Sequence, residues 1–117
     1  MNKEFIPYEQ ALELLKLGFT EECFLDYSVE KQLTNKWSLG LIPAPLYQQA
    51  FRWFRDRHGL DYEITYAGKK GEYHAFVDEY IYGNNGSSPS IFSYEEAELA
   101  CLKKLIIIVE RKPEAYS

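Results

Sequence analysis

Ser93-Tyr94-Glu95-Glu96-Ala97-Glu98-Leu99-Ala100-Cys101-Leu102-Lys103-Lys104-Leu105-Ile106-Ile107-Ile108-Val109 has one clear structural reading, that of a helix. Ser93 followed by Glu96 has the spacing of a capping box, in which hydroxyl and carboxylate take up free amide hydrogens of the first turn. Acids fill that turn and Lys103-Lys104 come later, the order that the helix dipole favours. The interior is apolar and supplies no nucleophile–base pair. Its end, Leu105-Ile106-Ile107-Ile108-Val109, places five apolar side chains in succession. At ~100° per residue they go round the whole axis, so a single core-facing stripe does not hold them all. The expectation is a homodimer with Leu105, Ile107 and Ile108 in its interface.

Before this helix, Asp61 to Ala67 alternates Tyr62, Ile64 and Tyr66 with Asp61, Glu63 and Thr65, the period of a strand. Gly68-Lys69-Lys70-Gly71 reads as a hairpin turn and Glu72 to Tyr82 as the return strand, aromatic on both faces and expected at the centre of a sheet. Gly83 to Pro89 is a loop, and Ile91-Phe92 a brief strand before the last helix. Further upstream, Pro43-Ala44-Pro45 stiffens the approach to a helix from Leu46 to His58, closed by Gly59. Leu46, Ala50, Trp53 and Phe54 form its inner stripe, widened by Tyr47 and Phe51, which leaves Arg52, Arg55 and Asp56 to solvent.

At the start, Pro7 and Gly18 bracket a first helix, Tyr8 to Leu17, with Tyr8, Ala11, Leu12 and Leu15 on one face. Cys23, Leu25, Tyr27 and Val29 alternate with more polar neighbours, as on a half-buried strand. Glu30 to Gly40 is polar and reads as a loop, with Trp37 to Ile42 able to extend. The order is α-β-α-β-β-(β)-α: a single α+β domain over 1–117, three helices against a small antiparallel sheet of three to four strands.

Composition narrows the function classes. Hydrophobic residues make up 46% and charged residues 26%, a globular balance. The ten tyrosines suit half-wet surfaces, because the ring packs while the hydroxyl keeps its water. The net charge of −5 has the wrong sign for holding nucleic acid or an anionic membrane by bulk attraction. No apolar run approaches the ~20 residues of a membrane span, and the opening residues lack the apolar core of a signal peptide. Cys23 and Cys101 are too few and too isolated for a disulfide framework or zinc site, and read as buried reduced thiols of a cytoplasmic protein.

Among polar groups, Arg52, Arg55, Arg57 and His58 crowd one helix end. With Lys69 and Lys70 they would hold a small anionic ligand, with Tyr66 or Tyr73 stacked on it. The competing reading is a solvated helix face whose cations suit the dipole. His58 and His74 have no spacing that arranges a metal site. Asp78 and Glu79 lie on opposite faces of a strand, and Ser87-Ser88 has no nucleophile-elbow context. No catalytic residue, metal or cofactor is expected.

Ala44-Pro45-Leu46-Tyr47-Gln48-Gln49-Ala50-Phe51-Arg52-Trp53-Phe54-Arg55 and Tyr94 to Ile106, with Phe5-Ile6-Pro7-Tyr8-Glu9-Gln10-Ala11-Leu12, resemble a family of small uncharacterised proteins of phages, prophages and mobile elements of gut bacteria. The resemblance implies an accessory protein in the bacterial host's cytoplasm and carries no catalytic residues. An anti-defence role, by capture of a host protein or a nucleotide-like signal, would suit such a gene. From Pro45 onward the order of elements is also similar to the double-stranded-RNA-binding domain, which grips phosphate with lysines at the start of its last helix. Here Glu95, Glu96 and Glu98 stand at those positions and would repel phosphate. The reading is therefore a non-catalytic binding protein. The alternatives are a nucleic-acid-binding module and a small enzyme with a dispersed site.

Overall fold

The computed structural model describes residues 2–34, 41–66, 73–77 and 93–111. After a 3-10 turn, Asn2–Glu4, the elements are α1 (Tyr8–Lys16), β1 (Leu25–Tyr27), β2 (Leu33–Thr34), β3 (Ile42–Ala44), α2 (Tyr47–His58), β4 (Tyr62–Tyr66), β5 (Tyr73–Val77) and α3 (Tyr94–Glu110). The class is α+β. The chain divides into two compact units, Met1–Ala50 and Phe51–Ser117. Among the described residues the strands make two antiparallel sheets, β2-β1-β3 and β4-β5, where the sequence reads as one.

In the first unit α1 begins behind Pro7, whose extended backbone occupies the capping position. It ends at Gly18, whose φ of +107° is open to glycine and strained for other residues. The Gly18 and Phe19 amides donate to the Leu15 and Leu14 carbonyls at 3.1 and 3.0 Å, which closes a Schellman motif over two buried side chains, Leu14 and Phe19. The buried face of α1 is Ala11 and Leu14, turned from the expected Tyr8-Ala11-Leu12-Leu15 stripe. β1 is shorter than its alternation suggested. Ser28 and Lys31 turn the chain, with the Lys31 amide donating to the Ser28 carbonyl at 2.8 Å, and this leaves Val29 exposed.

The tripeptide Ile42-Pro43-Ala44, expected to lead into a helix, is itself strand β3, with Pro43 opposite Asp26. Proline has no amide hydrogen, so Asp26 and Pro43 must form the pair that exchanges no hydrogen bonds. Pro43 accordingly fits an edge strand, which β3 is among the described residues. The chain then crosses the N-terminal segment, where the Ile6 amide donates to the Pro45 carbonyl at 3.0 Å.

In the second unit α2 stops at Gly59, whose amide donates to the Arg55 carbonyl at 3.1 Å and whose positive φ turns the next amide, that of Leu60, back to the Phe54 carbonyl at 3.3 Å. Phe51, Trp53 and Phe54 are buried and Arg52, Arg55, Asp56 and Arg57 exposed, as the helical spacing predicts. β4 and β5 pair from Tyr62↔Val77 to Tyr66↔Tyr73. Among the described residues β5 pairs with β4 alone; the expected continuation of the return strand and the Ile91-Phe92 strand lie outside them. α3 packs on β5 and β4. It runs alongside β5: Tyr94 meets Tyr73, and seven residues on, the Cys101 thiol donates to the Phe76 carbonyl at 3.7 Å. Seven helical residues and three strand residues each advance about 10 Å, so the two contacts are consistent with one another.

At the end of α3, two of the three residues expected in a dimer interface, Leu105 and Ile108, lie in the chain's own core. Leu105 is fully buried and Ile108 only 5% exposed within the single chain, and Ile106 is buried with them. Ile107 alone stays out, at 39% exposure. Its helical neighbours three and four residues away are Lys103, Lys104, Glu110 and Arg111, all exposed. Leu105 and Ile108 are thus core residues, because the covered sector of α3 is wider than a single stripe.

Candidate functional site: a row of tyrosines

The register of β4 and β5 sorts their side chains. Tyr62, Ile64, Tyr66, Tyr73, Ala75 and Val77 share one face, the face on which Ala75 and Val77 are buried. Glu63, Thr65, His74 and Phe76 share the other, where the Thr65 hydroxyl donates to the Glu63 carboxylate at 3.3 Å. On the first face the rings grow more exposed toward the hairpin end. Tyr62 is half-buried and lies flat on Phe51, with centroids 3.9 Å apart. Tyr66 meets Tyr73 edge-on at 5.6 Å, and Tyr73 meets Tyr94 of α3 edge-on at 5.7 Å. In such contacts the edge of one ring meets the face of the next, which favours one relative arrangement of the rings. Tyr66 is 55% exposed and Tyr94 42%. Strand register and the Ser93 cap, whose hydroxyl accepts from the Glu96 amide at 3.0 Å, therefore present three tyrosines as one surface row.

Acids accompany the row. Glu98 lies one helical turn beyond Tyr94, half-buried. Burial raises its carboxyl above the usual carboxylate value, and the charge of Glu95 adds to the shift. Burial likewise raises the Tyr94 and Tyr62 phenols, with Glu98 contributing to both. No cation among the described residues pairs with Glu98.

The expected anion site is distributed differently. Arg52 and Arg55 are exposed on α2, and Arg55 Nη1 lies 3.5 Å from Asp61 Oδ1. Asp61 also accepts from the Tyr62 amide at 2.8 Å, so it fixes the start of β4. From Asp61 to Tyr66 the strand runs about 16 Å. Arg55 is therefore held at one end of β4, while Tyr66 and Tyr73 close the other. The structure brings Tyr66 and Tyr73 together and does not bring Arg55 to them. Lys69 and Lys70 lie outside the described residues.

Tyr94 is the functional candidate that sequence reasoning missed. It reads as the first residue of a helix, and only the packing of α3 on β5 sets it beside Tyr73. The remaining reactive groups have structural surroundings. Cys101 is buried and its thiol pushed up to about 11, chiefly by desolvation, so it stays protonated and unreactive at neutral pH. His58 lies edge-on to Trp53 at 5.0 Å. Among the described residues no three His, Cys, Asp or Glu side chains are grouped to hold a metal ion, and no helix is long and apolar enough to cross a membrane.

Comparison of the chain with models of protein families, with curated proteins and with solved structures finds no match.

Proposed function

We propose that this chain is a non-catalytic accessory protein that acts by capturing a partner on the row Tyr66–Tyr73–Tyr94. The observation that carries the reading is the exposure of Tyr66 and Tyr94, each in edge contact with the half-buried Tyr73 between them. A ring already held in position loses little freedom on binding and still offers a large contact area. The resemblance to phage and mobile-element proteins supports a role in the cytoplasm of a bacterial host, where the captured molecule would belong to the host.

Native mass spectrometry of the freshly purified protein tests the reading. The wild type should retain an added mass that a Tyr66→Ala/Tyr94→Ala variant loses while keeping its melting temperature within a few degrees. Retention of the same mass by that variant would move the contact surface elsewhere.

A further inference from the structure

We infer that the row receives the lysine or arginine side chains of a basic polypeptide segment. The inference rests on the row being the contact surface and adds the chemistry of what it takes. Two features select a cation. Tyrosine faces carry negative quadrupole potential and attract ammonium or guanidinium groups. Beside Tyr94, one turn along the same helix, stands the half-buried Glu98, which no cation among the described residues pairs with. An arriving guanidinium would lie on Tyr94 and meet that carboxylate, gaining a charge-assisted hydrogen bond in a partly dry setting.

Charge complementarity also favours a polypeptide over a small anion. The charge of Glu98 acts on the Tyr94 phenol, and Glu95 and Glu96 are exposed in the same first turn of the helix. Of the exposed arginines of α2, Arg55 is held by Asp61 at the far end of β4. A phosphate brought onto Tyr94 would meet carboxylates first. A basic segment running along the row would meet a ring at each step, because the three tyrosines are spaced 5.6 and 5.7 Å apart.

The test is titration of the full chain with hexa-arginine, followed by calorimetry and by amide chemical shifts, with ATP as the anionic counterpart. The peptide should shift the signals of Tyr66, Tyr73, Tyr94 and Glu98. Tyr94→Ala and Glu98→Gln should each weaken it about tenfold. Glu110→Gln removes the same charge from the other end of α3 and should change affinity by less than about twofold. Equal losses from Glu98→Gln and Glu110→Gln would reduce the effect to bulk charge and overturn the inference. So would ATP shifting the tyrosine signals when the peptide does not. If the peptide fails to bind while the Tyr66→Ala/Tyr94→Ala variant still loses its retained partner, the row remains the contact surface and only its charge preference falls.

Discussion

Tyr27 and Tyr94 each meet another tyrosine edge-on, Tyr27 with Tyr8 at 5.5 Å and Tyr94 with Tyr73 at 5.7 Å. The ring geometry is almost the same and the outcome is opposite. In the first unit the Tyr27 hydroxyl donates to the Ile6 carbonyl at 2.6 Å and the residue is buried. Lys31 lies over the ring of Tyr8 at 5.2 Å, so that ring also has its occupant. In the second unit Tyr66 and Tyr94 remain exposed. A fixed acceptor for the phenol decides which tyrosines are structural. Among the described residues Tyr66, Tyr73 and Tyr94 have no such acceptor.

The largest effect should come from Tyr27. Tyr27→Ala removes a buried ring together with its hydrogen bond, and should cost about 3–5 kcal/mol in urea unfolding. Tyr27→Phe keeps the ring and strands the Ile6 carbonyl, at about 1–2 kcal/mol. A Tyr27→Phe protein as stable as wild type would erase the distinction between the two kinds of tyrosine.

Alkaline pH comes next. The Cys101 thiol ionises near 11 when folded, against 9.0 for a free thiol. The folded state therefore holds its proton where the unfolded chain releases it, so stability should fall as pH rises from about 9 to 11, by roughly 2–3 kcal/mol in all. The raised phenols of Tyr27, Tyr62 and Tyr94 act in the same direction. Urea midpoints at pH 8, 9 and 10 should decline less steeply for Cys101→Ala than for wild type; parallel slopes would mean the thiol is not desolvated.

Smaller still, Tyr94→Ala should change stability by less than about 1 kcal/mol, since its ring is partly wet already. A loss comparable to that of Tyr27→Ala would make Tyr94 a packing residue and close the contrast from the other side. The smallest effect is expected at Ile107. With charged neighbours around it and Leu105 and Ile108 already covered, Ile107→Glu should shift stability by about 0.5 kcal/mol or less. Light scattering should give wild type and variant one and the same mass. A wild-type dimer that the variant dissolves would restore this helix as an interface.

Much of the fold was legible because it is written in local chemistry. Pro7 and Gly18, Gly59, and Ser93 with Glu96 mark helix ends by backbone constraints that act within a few residues, and the three helices lie between them. The alternation of Tyr62, Ile64 and Tyr66 gave the strand and its faces for the same reason. What depended on distant partners was not legible. Pro43 suits a helix approach as well as an edge strand until Asp26 is seen opposite it. The apolar end of α3 looked overfull because the width of its buried sector is set by what packs around it. Of the candidate site, Tyr66 and Tyr73 were legible as aromatics able to stack on a ligand, whereas Tyr94 and Glu98 join them only through tertiary packing. Arg55 was grouped with them as one of a cluster of cations next to aromatics, and its pair with Asp61 holds it at the other end of β4.

Pro43 has a consequence for how the protein behaves in concentrated solution. An open strand edge offers amide hydrogens on which another chain can begin to add, the first step toward fibrous aggregates. In β3 the residues on either side of Pro43 turn their amides toward β1, and the position facing outward has no hydrogen to give. Just beyond, the Pro45 carbonyl is already taken by Ile6. The opposite edge, β2, is two residues long. Among the described residues a sheet bounded in this way gives an incoming strand no run of donors to bond with, and Pro43→Val would supply the one missing from β3.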